Sequence, residues 1–294
     1  MIILYLLEYF KKFEYLFFIS IAITLFAIIF YTFLQLFLID NISDIYRISG
    51  LFGEESIQGS FLLRIVPIFL IFYLYNSKGW HINHKFILII FLTLIFILIL
   101  LSGERASIFL MFIGIFLAFF LLKISIKKTS LFIIYLIVVF SLTITFYSPA
   151  KERIVNRTYD QVFNIDSKGE KRESFNIFSQ GHQDHLESAY IMFKQNYLTG
   201  VGVRNFRIEC KKEIYKKVGK YHCSTHPHNT YLQLLSETGI IGLLFFLIFL
   251  FFIISKLYLF LNNIYFKNQA INKCLALCFV LIAVNFFPLV PTGS

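Results

Sequence analysis

Charge is scarce in this chain. Asp, Glu, Lys and Arg make up only 15% of its 294 residues, where a soluble domain carries about 25%. Proline (5) and tryptophan (1) are also rare, and there are four cysteines. So few cysteines exclude a disulfide-dense secreted module. The shortage of charge, with 58% apolar residues and a mean hydropathy of +0.74, excludes a soluble globular enzyme and a disordered chain. The apolar residues run in continuous blocks, not in the alternating stretches of about 10 that build an outer-membrane barrel. The abundant Phe (38) and Ile carry no functional information.

Seven apolar blocks stand out, at roughly 15–39, 61–75, 85–101, 106–122, 130–148, 240–260 and 273–290. Several reach the ~20 residues that a membrane-crossing helix needs. No small-residue cleavage site follows the first, so no cleavable signal peptide is expected. The expected fold is an all-α polytopic membrane protein of about seven transmembrane helices with one long helical loop. Its regions are an N-terminal bundle of five spans (1–148), the loop (149–239) and two further spans (240–294). Lys and Arg in the short loops set the orientation. Lys11, Lys12, Lys78, Lys85, Lys123, Lys127, Lys128, Lys256, Lys267 and Lys273 fall on one side. Asp40, Asp44, Arg47, Glu54, Glu55, Glu104 and Arg105 fall on the other. The lysine side is read as cytoplasmic, with the N-terminus inside and the long loop outside.

Residues 149–235 hold 14 of the 27 Lys and Arg, 9 of the 17 Asp and Glu, and five of the seven His, for a net charge of +5. A solvated loop from a basic proteome accounts for this composition. So does a surface for an anionic partner such as a lipid phosphate. No nucleic-acid-binding motif is present. Leu186, Ala189, Tyr190 and Phe193 recur at helical spacing and predict an amphipathic helix over 182–197. It stops at Gly200 and Gly202. A short basic helix is expected at about 204–217. A third helix is expected to begin near Pro227, capped by Thr225 or His226, and to break at Gly239. Cys210 and Cys223 are the loop's only cysteines, and outside the cytoplasm they are candidates for a disulfide.

The densest chemistry lies in His222-Cys223-Ser224-Thr225-His226-Pro227-His228-Asn229. Together with His182 and His185 it suggests zinc, yet the spacing matches no metal signature, and no metal site is assigned. Acid–base and anion chemistry is the other reading. His228 is expected in the first turn of a helix, where free N–H groups attract phosphate. Asn229, Gln233 and Glu237 follow at four-residue steps as one polar stripe that suits a sugar, or that serves capping and interface hydrogen bonds. Arg64, Arg105, Arg153 and Arg157 are expected at the outer membrane face. There guanidinium groups either snorkel or fork onto phosphate.

These residues resemble a known family. Gly200-Val-Gly through Phe206, and His226-Pro-His-Asn-Thr-Tyr-Leu-Gln-Leu-Leu-Ser-Glu-Thr-Gly239, are similar to the O-antigen ligase and O-antigen polymerase family of bacterial envelope proteins. That family's motif is His, then Asn, Ser or Gln, nine residues, and Gly; here it is His228, Asn229, 230–238 and Gly239. Ser102-Gly-Glu-Arg105 resembles the family's Ser-Gly-Ser-Arg turn, with Glu104 in place of the Ser. Gly50-Leu-Phe-Gly-Glu-Glu55, leading to Arg64, resembles another external segment. The resemblance implies a glycosyltransferase C-like helical fold in the bacterial inner membrane. It implies a glycosyltransferase that needs no metal or cofactor. The implied partners are a glycan on undecaprenyl pyrophosphate, lipid A–core or another glycan acceptor, and membrane lipids.

The resemblance also implies roles. His228, Arg105 and Arg153 are the expected catalytic residues. Arg64, His226, Asn229, Gln233, Glu237 and Arg157 are expected at the substrate. A ligase acting on lipid A–core at the periplasmic face is the closer fit, and a polymerase extending carrier-linked repeats is the alternative. A lipid-linked glycan transporter would need ionisable residues within spans and internal repeats, and neither is evident. A sensor with a metal-binding loop is a further class. Two departures stand out. The family has more spans, so the chain is expected to be a piece of a larger member. His185 stands where many relatives carry Arg.

Overall fold

The computed structural model describes residues 13–38, 48–55, 57–76, 83–163, 178–262 and 269–288. Lys11, Lys12, Asp40, Asp44, Arg47, Lys78 and Lys267, on which part of the orientation rests, lie outside these residues. Every described regular element is helical. A helix occupies each of the seven apolar blocks: α1 (Phe13–Leu38), α2 (Gln58–Asn76), α3 (Asn83–Leu101), α4 (Arg105–Leu121), α5 (Ile126–Phe146), α11 (Thr230–Asn262) and α12 (Gln269–Asn285). Between α5 and α11 come α6 (Ser148–Lys151), a π-turn (Glu152–Asn156), α7 (Arg157–Val162), α8 (Gln180–Gln195), α9 (Phe206–Glu209) and α10 (Glu213–Lys216). Among the described residues three helices are long and apolar enough to cross a membrane: α1, α5 and α11. The other four apolar helices are shorter.

The chain divides into two compact units. The first holds residues 1–155 and 260–285. Within it α12 packs on α2 and α4, α1 packs on α2, and α3 packs on α5. Its helices pack through apolar side chains such as Leu25, Leu62, Leu98 and Val284, all buried. Ile48, Leu101, Tyr147 and Ala150 form a small core on which Ile154 also packs. This core seats the π-turn carrying Arg153. Phe116, Phe120 and Ile137 of α4 and α5 are exposed; for a membrane protein that is the surface lipid covers.

The second unit holds residues 156–259 and 286–294. Its core is Ala189, Met192, Phe206, Cys210 and Tyr215, with Val201, Cys223 and Leu232 packed against it. Cys210 is bonded to Cys223 across 13 residues, with Cα atoms 5.1 Å apart. A loop that short contributes about 3 kcal/mol when closed. The stretch expected as one basic helix at 204–217 is two single turns, α9 and α10, because Cys210 turns the chain into the disulfide.

The third helix of the loop does not start at Pro227 as the sequence suggests. It starts at Thr230, and Asn229 is its cap. The Asn229 side-chain oxygen accepts the N–H groups of Tyr231 and Leu232, both at 3.1 Å, the second and third donors that a cap satisfies. His228 therefore precedes the helix, in a left-handed conformation (φ 56°). Asn229 also donates to the Pro288 carbonyl (2.9 Å), and Tyr231 donates to the Phe286 carbonyl (2.6 Å).

Two glycines let backbones cross in this unit. Gly239 has φ 66° and kinks α11; a Cβ there would meet the backbone of Leu198 and Thr199. Gly200, also at φ 66°, would meet Glu237 and Thr238 in the same way. The crossing is tied by Val201 N–H to Ser236 O (2.8 Å), Gly202 N–H to Glu237 O (2.9 Å) and Ile240 N–H to Tyr197 O (2.8 Å). Gly239→Ala should cost about 1–3 kcal/mol, from the strained φ and the displaced backbone. Thermal unfolding of the full chain in detergent checks this; an unchanged Tm would mean that the crossing is loose.

Candidate functional site

Two clusters of polar residues stand out, one in each unit. The first is built around the turn Ser102-Gly-Glu-Arg105. Gly103 adopts φ 63° and its carbonyl accepts Arg153 Nε (3.2 Å). Arg105 begins α4 and lies close enough to Arg153 for the two charges to repel. Glu104 stands at the cap position of α4, but its side chain bonds elsewhere. One carboxylate oxygen accepts the Gly59 N–H (2.6 Å). The other accepts the Ser60 N–H (3.0 Å), the Ser60 hydroxyl (2.5 Å) and the Ser107 hydroxyl (3.0 Å). It thereby caps α2, whose first-turn N–H groups are otherwise without helical partners. Arg64, one turn further along α2, donates from Nε to Asn285 Oδ1 (3.0 Å). Burial lowers the Arg153 guanidinium from its ordinary value, and the Glu104 carboxylate pushes it back up; an arginine keeps its charge throughout.

The second cluster is made of imidazoles. His182 and His185 project from α8, and His226 and His228 come from the segment before α11. The His228 ring lies 4.2 Å from His226, 5.3 Å from His185 and 5.4 Å from His182, between centroids. Burial, then repulsion from His226, His182 and His185, holds His228 well below the usual histidine range, at about 4. His185 and His226 are lowered too, chiefly by burial; Glu237 partly offsets the effect at His226. These rings are therefore neutral at pH 7, and each neutral ring offers a lone pair that can take a proton. The Nδ1 of His185 is buried and has no hydrogen-bond partner among the described residues. Among those residues no set of three or more His, Cys, Asp or Glu side chains is arranged to hold a metal ion.

Two buried carboxylates fix the backbone in the same unit. Asp184, on α8 between the two histidines, accepts Gln180 Nε2 (2.7 Å) and the Tyr221 N–H (3.0 Å). It fixes the turn before His222, where Gly219 leaves room for it. Glu237 accepts the Phe206 N–H at the start of α9 (3.2 Å) and Gln233 Nε2 (3.4 Å). The expected stripe of Asn229, Gln233 and Glu237 is thus present, with Asn229 and Glu237 buried and bonded to backbone. Arg157 lies on exposed α7 in the second unit.

A family model described as O-antigen ligase matches residues 88–247, just over half of the chain. The chain belongs to the O-antigen ligase family. Membership makes it a membrane enzyme of the ligase or polymerase type, glycosyltransferase-like and acting on glycan and lipid-linked substrates. The matched segment runs from α3 into α11 and so contains Arg105, Arg153 and the whole histidine cluster of this O-antigen ligase family member. Arg64 lies before it. No curated protein and no solved structure matches the chain.

The sequence did not point to Asp184, Ser60 or Ser107 in either cluster; it offered His182 and His185 as zinc candidates, and His185 also as a departure from an arginine of the family. The signal for the two histidines was their three-residue spacing on an amphipathic helix. Nothing local signals Ser60, because its partner Glu104 is 44 residues away.

The lowered histidines make stability depend on pH. The folded cluster binds protons less readily than the unfolded chain, whose histidines titrate near 6.5. Stability is full above about pH 6.5 and falls as the pH drops from there toward 4. The Tm in detergent should therefore fall between pH 7.5 and 5. It should fall less in His228→Asn, which suits the left-handed backbone. Equal falls in the two proteins would show that His228 titrates normally in the folded state.

Proposed function

We propose that this protein is an O-antigen ligase-type transferase that moves a glycan from undecaprenyl pyrophosphate to lipid A–core at the periplasmic face of the bacterial inner membrane. In this reading all seven apolar helices span the bilayer, five within 1–148 and two within 240–294. The N-terminus is cytoplasmic, and 149–239 form the periplasmic loop of a glycosyltransferase C-like fold. The observation that carries the proposal is the His228-Asn229-x9-Gly239 motif, together with the burial that keeps His228 neutral.

His228 takes the proton from the acceptor hydroxyl as its oxygen bonds to the anomeric carbon. The bond from that carbon to the pyrophosphate oxygen breaks, and undecaprenyl pyrophosphate leaves with the electron pair. Arg105 and Arg153 meet the charge that develops on the leaving group. Arg64 and Arg157 add to the attraction for phosphate. His226, Asn229, Gln233 and Glu237 shape the segment that meets the sugar. No residue here is assigned to a metal or an organic cofactor.

The test uses membranes carrying the full chain, a carrier-linked glycan and lipid A–core, with products read by mass. Glycan on lipid A–core is expected. Longer carrier-linked glycan would make the protein a polymerase instead, and no product with either acceptor would overturn the transferase reading. His228→Ala should lower turnover by about 10²–10⁴, the usual worth of a general base, at unchanged membrane expression. Arg105→Lys should lose at least about tenfold, since a point charge replaces the fork and forfeits a charge-assisted hydrogen bond. Near-normal turnover in either variant would remove that residue from the mechanism.

A further inference from the structure

Glu104 is the one residue of the Ser-Gly-Glu-Arg turn that departs from the pattern the turn resembles. The structure shows what the departure does. Both carboxylate oxygens are engaged, one by the Gly59 N–H and the other by the N–H and hydroxyl of Ser60 and the hydroxyl of Ser107. The surroundings are shaped to the carboxylate. A Cβ at position 59 would press on Ser102 Oγ and on Glu104 itself, and Ser102 and Ser107 are buried. A serine at 104 has one oxygen on a short stem and cannot serve four donors. A glutamine would turn an N–H group toward backbone N–H donors.

Two arginines meet at this turn. Arg105 follows Glu104 in the chain, and Arg153 is bonded to the carbonyl of Gly103 before it. The carboxylate acts on the charges of Arg153 and Arg64 as well. Whatever fixes Glu104 therefore fixes the backbone from which Arg105 is presented and the carbonyl that holds the Arg153 guanidinium.

We propose that Glu104 is a positioning residue for phosphate recognition: by clamping its turn to the start of α2, it sets where Arg105 and Arg153 offer their guanidinium groups to the pyrophosphate of the donor. This rests on the transferase reading above for the identity of the anion. The proposal gives Glu104 no proton-transfer step and no contact with substrate.

The experiment uses the full chain purified in detergent, with undecaprenyl pyrophosphate as the binding probe and transfer assayed separately. Glu104→Gln and Glu104→Ser should weaken binding at least about tenfold, the equivalent of one lost charge-assisted hydrogen bond to phosphate. In transfer they should raise the donor KM per folded molecule. In an Arg105→Ala, Arg153→Ala background the same changes should add less than about twofold, because a residue that acts through these two arginines has little left to position. A helix cap alone would lower the Tm and leave the affinity of the folded fraction untouched. Should the Glu104 variants fail to fold, Ser107→Ala removes one donor to the carboxylate and should weaken binding by a smaller factor in the same direction. Wild-type affinity in the folded Glu104 variants or in Ser107→Ala would overturn the proposal. So would a full tenfold loss persisting in the background lacking both arginines. Tight pyrophosphate binding without transfer to any acceptor would sink the transferase reading and leave the positioning role standing.

Discussion

A buried helix start must find acceptors for its free N–H groups, and in a chain this poor in charge there are few to supply them. Three side chains do so at the positions that matter. Glu104 reaches from the start of α4 back to cap α2, Asn229 caps the helix that follows the histidine segment, and Glu237 closes the single turn at Phe206. In each case the acceptor sits within or beside a stretch carrying the candidate chemistry. Meeting the hydrogen-bond requirement thus also fixes the local backbone of Arg105 in one unit and of His228 in the other.

The histidine cluster obeys a second constraint, which is electrostatic. Four imidazoles lie within about 6.5 Å of a neighbour, and at His185, His226 and His228 burial first, with repulsion between neighbouring rings added at His185 and His228, favours the neutral form. The cluster needs no carboxylate partner to become a proton acceptor. Asp184, next to His185 in sequence, spends its oxygens on Gln180 and the Tyr221 backbone.

The helices were largely legible in the sequence. Each continuous apolar block became a helix because backbone polar groups away from water must be satisfied within the segment. The amphipathic repeat of Leu186, Ala189, Tyr190 and Phe193 gave α8 to within about two residues. The start of α11 was misjudged by three residues. Pro227 suits a first helical position, but the side chain able to accept the next two N–H groups belongs to Asn229, and the cap decides the start. The motif residues were readable from their spacing. Glu104's bonds to Gly59 and Ser60 were not, since they join segments more than 40 residues apart, and no local pattern encodes such a pairing.

The bonds from Asn229 and Tyr231 to the carbonyls of Pro288 and Phe286 bear on how the protein is made. The residue beside His228 is secured by a segment 59 positions later, which leaves the ribosome well after the histidine itself. The helix cap can form as soon as α11 does, but its tether must wait for α12 and the residues after it to be synthesised. The backbone beside His228 is thus tethered only after residues 286–288 have been made, and a nascent chain halted before residue 286 would carry the whole motif with its cap still untethered.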